Sequence, residues 1–413
     1  MRIAFTRSVD IGQAQPFLRN IRTYVQDKEH RIKLFYTDGE CNQEMFPGEM
    51  EKVPTDVSCE ILVEKIMDWK ADVVISISLP DDNSLRDACV KEILMEKHQI
   101  PMIMHSMEAT AIMCNKWETK GFLRNLGYAV TDGFLIQGDL INDRGIRYHS
   151  YRDFIFNKVQ KMGFPIIVKP LWDSMSCGIQ IMDTMEELRD YITTNPPTAD
   201  VLVEQFIEGE LFGIEVLGCD GHYRCQPLVR KCSNSVRNLF PFDHLRFAPF
   251  TNESYPIQEL EEMVLNIASK LEVSGSIDVE LIYKDGIFYI IEINPRISGM
   301  TNLSSAVSGH NAFQCLLEMA EGEWVNQYRL PKKDRFVAEF PLENMTPTIA
   351  ERTLNRDDVV HVSFNRYHDG RTQYKMMLSA IDAEDCFSKL MGLNEENKIV
   401  PTHIIEELRC SMT

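Results

Sequence analysis

Short apolar runs alternate with helix-spaced apolar positions over the first hundred residues. Ile3-Ala4-Phe5, Ile32-Lys33-Leu34-Phe35-Tyr36, Val73-Val74-Ile75-Ser76-Ile77 and Met102-Ile103-Met104 are each bounded by polar or turn residues and read as strands. Between the second and third, Ile61, Leu62, Ile66 and Trp69 recur at helical spacing. Alternation of this kind predicts a parallel sheet covered on both faces. After the first strand the chain reads Thr6-Arg7-Ser8-Val9-Asp10, not the G-x-G-x-x-G phosphate turn, so an NAD-dependent enzyme is disfavoured.

Farther on, a helix beginning near Asn115 carries Trp117, Leu123 and Leu126 and ends at Gly127, a natural C-cap. Residues 137–152 are polar and are expected to form a surface excursion. A strand, Ile166-Ile167-Val168-Lys169-Pro170, leads into a loop from Leu171 to Gly178, and a helix follows from about Thr184. Val201 to Ile207 reads as a strand running into Glu208-Gly209. Leu260, Met263, Val264, Ile267, Ala268 and Leu271 trace the core face of the clearest helix in the chain. Strands at 277–283 and 287–293 are joined through Lys284-Asp285-Gly286, a hairpin signal. A helix around Phe313, Leu316, Leu317 and Ala320 ends at Gly322, and from Leu330 a separate strand-rich segment is expected, with a hairpin across His368-Asp369-Gly370.

Composition narrows the function classes. The chain has 413 residues, enough for several domains, with 44% hydrophobic and 25% charged residues, as in soluble globular proteins. The net charge of −19 repels nucleic acid and anionic membrane, and no run approaches the roughly 18–20 apolar residues of a membrane helix. A cytoplasmic protein with small-molecule partners, binding neither nucleic acid nor membrane, is the expectation. Eleven cysteines without a C-x-x-C pair read as reduced, structural thiols.

Candidate chemistry concentrates in Ile277-Asp278-Val279-Glu280-Leu281 and Ile290-Ile291-Glu292-Ile293-Asn294-Pro295-Arg296. Glu292 and Asn294 are two apart on a strand and share a face, with Arg296 two beyond at its end. Two carboxylates and an amide oxygen are hard ligands suited to Mg²⁺ or Mn²⁺. Glu280 faces the same way as Glu292 only if the hairpin turn has an odd length or the ladder contains a bulge, because a strict two-residue turn at Asp285-Gly286 puts them on opposite faces. The alternative is that both are solvated strand residues.

Glu280-x11-Glu292-x-Asn294-Pro295-Arg296, preceded by Pro165 to Pro170 and by Val203-Glu204-Gln205-Phe206-Ile207-Glu208-Gly209, resembles the ATP-grasp superfamily over roughly residues 113–322. The Ile-Asn-Pro-Arg form resembles the carboxylate–amine ligases, including amino-acid (dipeptide) ligases, and also carbamoyl-phosphate synthetase and biotin carboxylase. The resemblance implies an α/β and α+β protein. Its expected parts are an N-terminal parallel α/β substrate domain (1–112), a two-lobed ATP-grasp core (113–199 and 200–329) and a small C-terminal α+β segment (330–413). A homodimer is left open.

The same resemblance implies roles. Lys116 is the first nucleotide lysine and Lys169 the second, also catalytic. Ser174, Ser176 and Gly178 belong to the phosphate-covering loop, and Glu204, Gln205, Phe206 and Ile207 form the adenine hinge. Glu280, Glu292 and Asn294 hold the metal, and Arg296 is the catalytic cation facing an acyl phosphate. Relatives place a ribose-binding glutamate where this chain has Leu211, so Glu210 or Glu208 is the expected substitute. Arg230, Lys231, Arg296 and Gly299 are the expected substrate-binding residues, with Arg237, His244 and Arg246 in the same region. The implied reaction is amide formation between two amino acids through an acyl phosphate, with ATP and Mg²⁺ (or Mn²⁺), releasing ADP and phosphate. The rivals are a bicarbonate-phosphorylating enzyme and a non-catalytic nucleotide-binding regulator.

Overall fold

The computed structural model describes residues 1–142, 149–172, 178–233, 243–326, 335–366 and 372–411. Among these, three sheets converge. The first joins β1 (Arg2–Arg7), β2 (Arg31–Tyr36), β3 (Glu49–Lys52), β4 (Val73–Ser76) and β5 (Met102–Ile103) in the order β3-β2-β1-β4-β5, every pairing parallel. The sequence pattern predicts four of these strands; β3, with the sequence Glu-Met-Glu-Lys, is a polar edge strand without an apolar signature. Alternate residues feed two cores. Ile3, Phe5 and Leu34 pack with Phe313 and Leu316 of the helix Ala312–Ala320, whereas Ala4, Phe35 and Val74 pack with Leu62 and Ile66 of the helix Cys59–Asp68.

The second sheet, antiparallel, consists of β6 (Gly133–Ile136), β7 (Ile166–Pro170), β8 (Gln180–Met182) and β9 (Val201–Gln205), in the order β6-β9-β7-β8. Helices His149–Met162 and Met185–Thr194 cover one face through Ile155, Val159, Leu188 and Ile192. The other face carries Ile167, Lys169, Leu202 and Glu204, which are cross-strand partners or two residues from one. The expected surface excursion at 137–152 is therefore partly helical: Gly138–Ile141 is a helical turn, and the longer helix has begun by His149 because its apolar stripe lies beyond 152.

The third sheet is antiparallel and runs β15-β14-β10-β12-β13-β16-β18-β17. Its strands are β10 (Glu210–Cys219), β11 (His222–Cys225, paired with β10 off this path), β12 (Val229–Ser233), β13 (Arg246–Ala248), β14 (Gly275–Lys284), β15 (Ile287–Asn294), β16 (Phe336–Leu342), β17 (Val359–Arg366) and β18 (Thr372–Ala380). The strand-rich segment after Leu330 forms no separate sheet, because β16 pairs directly with β13 and extends this one. β17 and β18 pair antiparallel as expected; His368-Asp369-Gly370 lies outside the described residues. The helix Ile257–Lys270 buries Leu260, Val264, Ile267 and Ala268 on one face of the sheet.

The β14–β15 hairpin meets the parity condition by the second of the two routes. Lys284 pairs with Ile287 across a two-residue turn, Asp285 and Gly286, both at positive φ (51° and 85°). The register then shifts between Glu280 and Leu281, so Glu280 pairs with Glu292 and Asp278 with Asn294. Ile291 is the extra residue of a β-bulge, and it brings both carboxylates to one face. The turn needs a left-handed residue that carries no Cβ at 286. Gly286→Ala should therefore destabilise the chain by about 1–2 kcal/mol, read as a lower midpoint in urea unfolding.

Candidate active site

Three elements deliver charged side chains to the space between the second and third sheets. Asn115 caps the helix Lys116–Asn125 by accepting from the backbone N–H groups of Trp117 and Glu118, which fixes the first turn. Lys116 and Lys120, one turn apart, then project along one ridge. Lys116 Nζ lies 3.0 Å from Glu292 Oε1 on β15, and Lys120 forms an ion pair with Glu204 on β9. One helix thus connects the hinge strand to the strand of the predicted metal ligands.

Around Glu204 the arrangement is dense. Lys169 Nζ lies 2.6 Å from its Oε2, Thr131 Oγ1 donates to its Oε1, and Lys120 also donates to the Thr131 backbone oxygen at 2.6 Å. Burial alone would raise the Glu204 carboxyl, but Lys169 and Lys120 outweigh it and hold it down at about 2. The predicted hinge residues Gln205 and Phe206 donate their backbone N–H groups to Asp132 and Pro165, at 2.9 and 3.0 Å, which clamps the strand end, and Ile207 continues it. Lys120 and Thr131 escaped sequence reasoning, since only the fold brings them to Glu204.

On the third sheet, cross-strand partners define one polar face. Gly213, Glu280 and Glu292 form one row, and Glu215, Asp278 and Asn294 the next. Lys231 Nζ sits 2.8 Å from Glu280 Oε1. It reaches there over Gly213, where a Cβ would come within 2.9 Å of Lys231 Cε and 2.3 Å of Met300 Cε. Burial works against the Glu280 charge, yet Lys231 holds that carboxyl below its ordinary range, whereas burial and the neighbouring Glu280 leave Glu292 raised despite Lys116. Asp278, fully enclosed, is pushed up to about 7 by desolvation. Asn294 Nδ2 is 3.4 Å from its Oδ2, and its Oδ1 has no hydrogen-bond partner among the described residues.

Arg296 is held at both ends. Its Nε donates to Asp81 Oδ1 at 2.8 Å and its Nη2 to Asn294 Oδ1 at 3.1 Å. Asp81 opens the helix Asp81–Ile93 in the N-terminal part of the chain, so this ion pair ties that part to the polar face. In the loop after Arg296, the hydroxyls of Ser298 (2.9 Å) and Thr301 (2.5 Å) both donate to Glu215 Oε1, and Gly299 between them is exposed.

Two predicted site residues lie elsewhere. Glu210 shares a strand face with Phe212, paired to Leu281 and the aromatic core, and Arg230 pairs with Phe212 and Phe247 on that same side. Glu210 binds Arg230 at 2.8 Å and accepts from Tyr255 at 3.0 Å, so the two satisfy each other behind the sheet, away from Glu280. The reason is strand parity: residues 210 and 212 face one way, 213 and 215 the other. Neither the ribose role for Glu210 nor the substrate role for Arg230 fits that placement. Gly178 is exposed at φ 68°, while Ser174, Ser176 and Arg237 lie outside the described residues. His244 sits 3.3 Å from Glu407, next to Arg246.

Among the described residues no three His, Cys, Asp or Glu side chains already converge as a metal cage. Glu280, Glu292 and Asn294 nonetheless offer hard oxygens on one face, with the unpartnered Asp278 Oδ1 beside them, and such a donor set fits a divalent cation of the Mg²⁺ type. A separate expectation concerns Glu204. Glu204→Gln strands two buried lysines and should cost about 3–5 kcal/mol of stability. Because the folded carboxyl is held low, this contribution is present above the ordinary carboxylate range and fades as pH falls toward about 2. Unfolding of wild type and mutant at neutral pH checks it; equal midpoints would contradict the ion-pair account.

Comparisons with known proteins bear on the fold and on part of the chain's length. Residues 143–312 match the family described as D-ala D-ala ligase C-terminus. A carbamoyl-phosphate synthase from Methanobrevibacter smithii is 24% identical over 255 residues, 61% of this chain and 65% of that protein, so the chain spans just under two thirds of its length. The crystal structure of an L-amino acid ligase from Bacillus licheniformis has the same fold, with a TM-score of 0.70 at 18% identity, covering 95% of this chain and 97% of that one. The biotin carboxylase domain of Hydrogenobacter thermophilus 2-oxoglutarate carboxylase, solved with MgADP and bicarbonate, gives 0.67 at 15% identity over 95% and 90% of the two chains. Residues 143–312 thus resemble the D-ala D-ala ligase C-terminus family, and the chain as a whole shares its fold with these ligase and carboxylase structures.

Proposed function

We propose that the protein is a cytoplasmic ATP-dependent ligase that joins a carboxylate to an amine as an amide, with two amino acids as substrates and ADP and phosphate as products. The observation that carries this reading is the shared face of Glu280, Glu292 and Asn294, closed by Arg296 and flanked by Lys116 and Lys231. That face offers oxygens for a cation and cations for phosphoryl oxygens within one small space.

In this mechanism Lys169 and Lys116 orient the triphosphate, and the strand end at Glu204 to Ile207 lines the adenine. Mg²⁺ held by Glu280, Glu292 and Asn294 would supply charge neutralisation for the transferring phosphoryl group. A substrate carboxylate oxygen bonds to the γ-phosphorus as the bond to the ADP oxygen breaks. The amine then bonds to the acyl carbon, phosphate departs, and the amine proton leaves to phosphate or solvent. Arg296, fixed by Asp81 and Asn294, presents its guanidinium to the oxyanion of the tetrahedral species.

A phosphate-release screen of amino-acid pairs with Mg·ATP, read by mass spectrometry, tests the reading. The expected result is a dipeptide formed in step with ADP and phosphate; AMP and pyrophosphate in step with product would sink it. Arg296→Lys should lower kcat by about 10²–10³ while nucleotide affinity stays near normal, because a point charge replaces a planar fork. Near-normal kcat in that mutant removes Arg296 from the chemistry.

A further inference from the structure

Two β-bulges flank the row Gly213, Glu280, Glu292. One adds Ile291 to β15, as described above. The other lies in β12: Leu211 pairs with Cys232 but Phe212 with Arg230, so Lys231 is the extra residue of that ladder. A bulge frees its extra residue from the strict alternation of the strand. Lys231 crosses β10 over Gly213 and brings its Nζ to 2.8 Å from Glu280 Oε1 on β14. A side chain at 213 would block that path, since a Cβ there stands 2.9 Å from Lys231 Cε. From the other end Lys116 reaches Glu292 at 3.0 Å. The row therefore reads ammonium, carboxylate, carboxylate, ammonium.

Glu280 and Glu292 are direct cross-strand partners, and like charges so placed destabilise a sheet. The two lysines offset that repulsion and leave no uncompensated carboxylate in the row. Neither carboxylate is sealed: 31% of the Glu280 side chain and 21% of that of Glu292 stay exposed, so charge rather than cover decides whether a small ion settles there. A bare divalent cation at the closed row meets two ammonium groups a few ångströms away, and their repulsion cancels much of the attraction of the carboxylates. A lysine is a point charge on a flexible four-carbon stem, so either ammonium can turn from a carboxylate to another anion without a change in the backbone.

We propose that Lys231, with Lys116 at the other end of the row, holds the Glu280–Glu292 pair closed to a bare divalent cation, so that the cation enters only with a polyphosphate that draws the ammonium groups away. This rests on the ligase reading above and adds the regulation of its site, an obligatory order of entry. The metal–nucleotide complex binds as one unit, and the metal does not wait in the site for the nucleotide. Lys231 is then a placeholder: it keeps the facing carboxylates apart in charge until both ions of opposite sign arrive. The bulge in β12 and the bare backbone at Gly213 are what the fold spends on delivering it.

The test uses the intact chain with Mn²⁺ as the probe, free Mn²⁺ being read from its electron paramagnetic resonance signal. Without nucleotide, Lys231→Met should bind one more ion per chain than wild type, with half-saturation about tenfold lower than any wild-type binding at this site. Adding Glu280→Gln to that variant should cancel the gain. Should Lys231→Met fail to fold, Lys116→Met carries the same expectation at Glu292. Lys28→Met releases Glu323, 2.8 Å away, at the end of the first sheet remote from Asp81; it controls for general loss of positive charge and should gain nothing. Wild type should take up Mn·ATP, seen as enhanced water-proton relaxation. Binding of bare Mn²⁺ by wild type as tight as by the variants, no gain in either variant, an equal gain in Lys28→Met, or no uptake of Mn·ATP overturns the proposal. No carboxylate or amine substrate is present in these titrations. The expected pattern with a failed phosphate-release screen therefore rejects the ligase reading alone, and an active amino-acid pair on a wild type that binds bare Mn²⁺ tightly rejects the order of entry alone.

Discussion

The site depends on buried and half-buried carboxylates being matched with cations that arrive from other parts of the chain. Glu204 is held by Lys120 and Lys169, Glu292 by Lys116, Glu280 by Lys231, Glu339 by Arg246 and Lys375, and Asp81 by Arg296. Isolated, each of these charges would cost far too much to bury. Paired, they commit the helix Lys116–Asn125, both antiparallel sheets and the N-terminal part to one arrangement. Stability and site geometry are therefore one requirement.

That requirement also sets how the polar face responds to small movements. A dry environment strengthens every Coulombic contact, so small displacements of a lysine carry large consequences for the carboxylate it faces. On the proposed reading, a polyphosphate and a divalent cation entering together would offer each lysine an anion and each carboxylate a cation. Exchange of partners within the cleft then leaves no charge stranded.

The sequence made four of the five strands of the first sheet legible because they are short apolar runs separated by helices, and it made the β14–β15 hairpin legible down to the need for a turn or bulge that restores parity. Strand β10 was not legible. Phe212 to Cys219 is buried on both faces, so it lacks the period-two alternation that marks a half-exposed strand. Without that strand the parity of Glu210 is unknown, and nothing local shows that Glu210 and Arg230 face the aromatic core rather than Glu280. Lys120, Thr131, Asp81, Glu339 and Lys375 could not be read at all. Their partners lie far away along the chain, and nothing local distinguishes them from solvated residues.

Arg246 and Glu339 are separated by 93 positions along the chain. A ribosome emits them in that order, so the cation waits while the residues between them are translated. Until Glu339 emerges, β13 has no strand on its far side and Arg246 has no carboxylate. This pair is thus formed late during synthesis, well after Lys116, Lys169 and Lys231 have been released. Chains that end before β16 would lack the strands that continue the third sheet past β13.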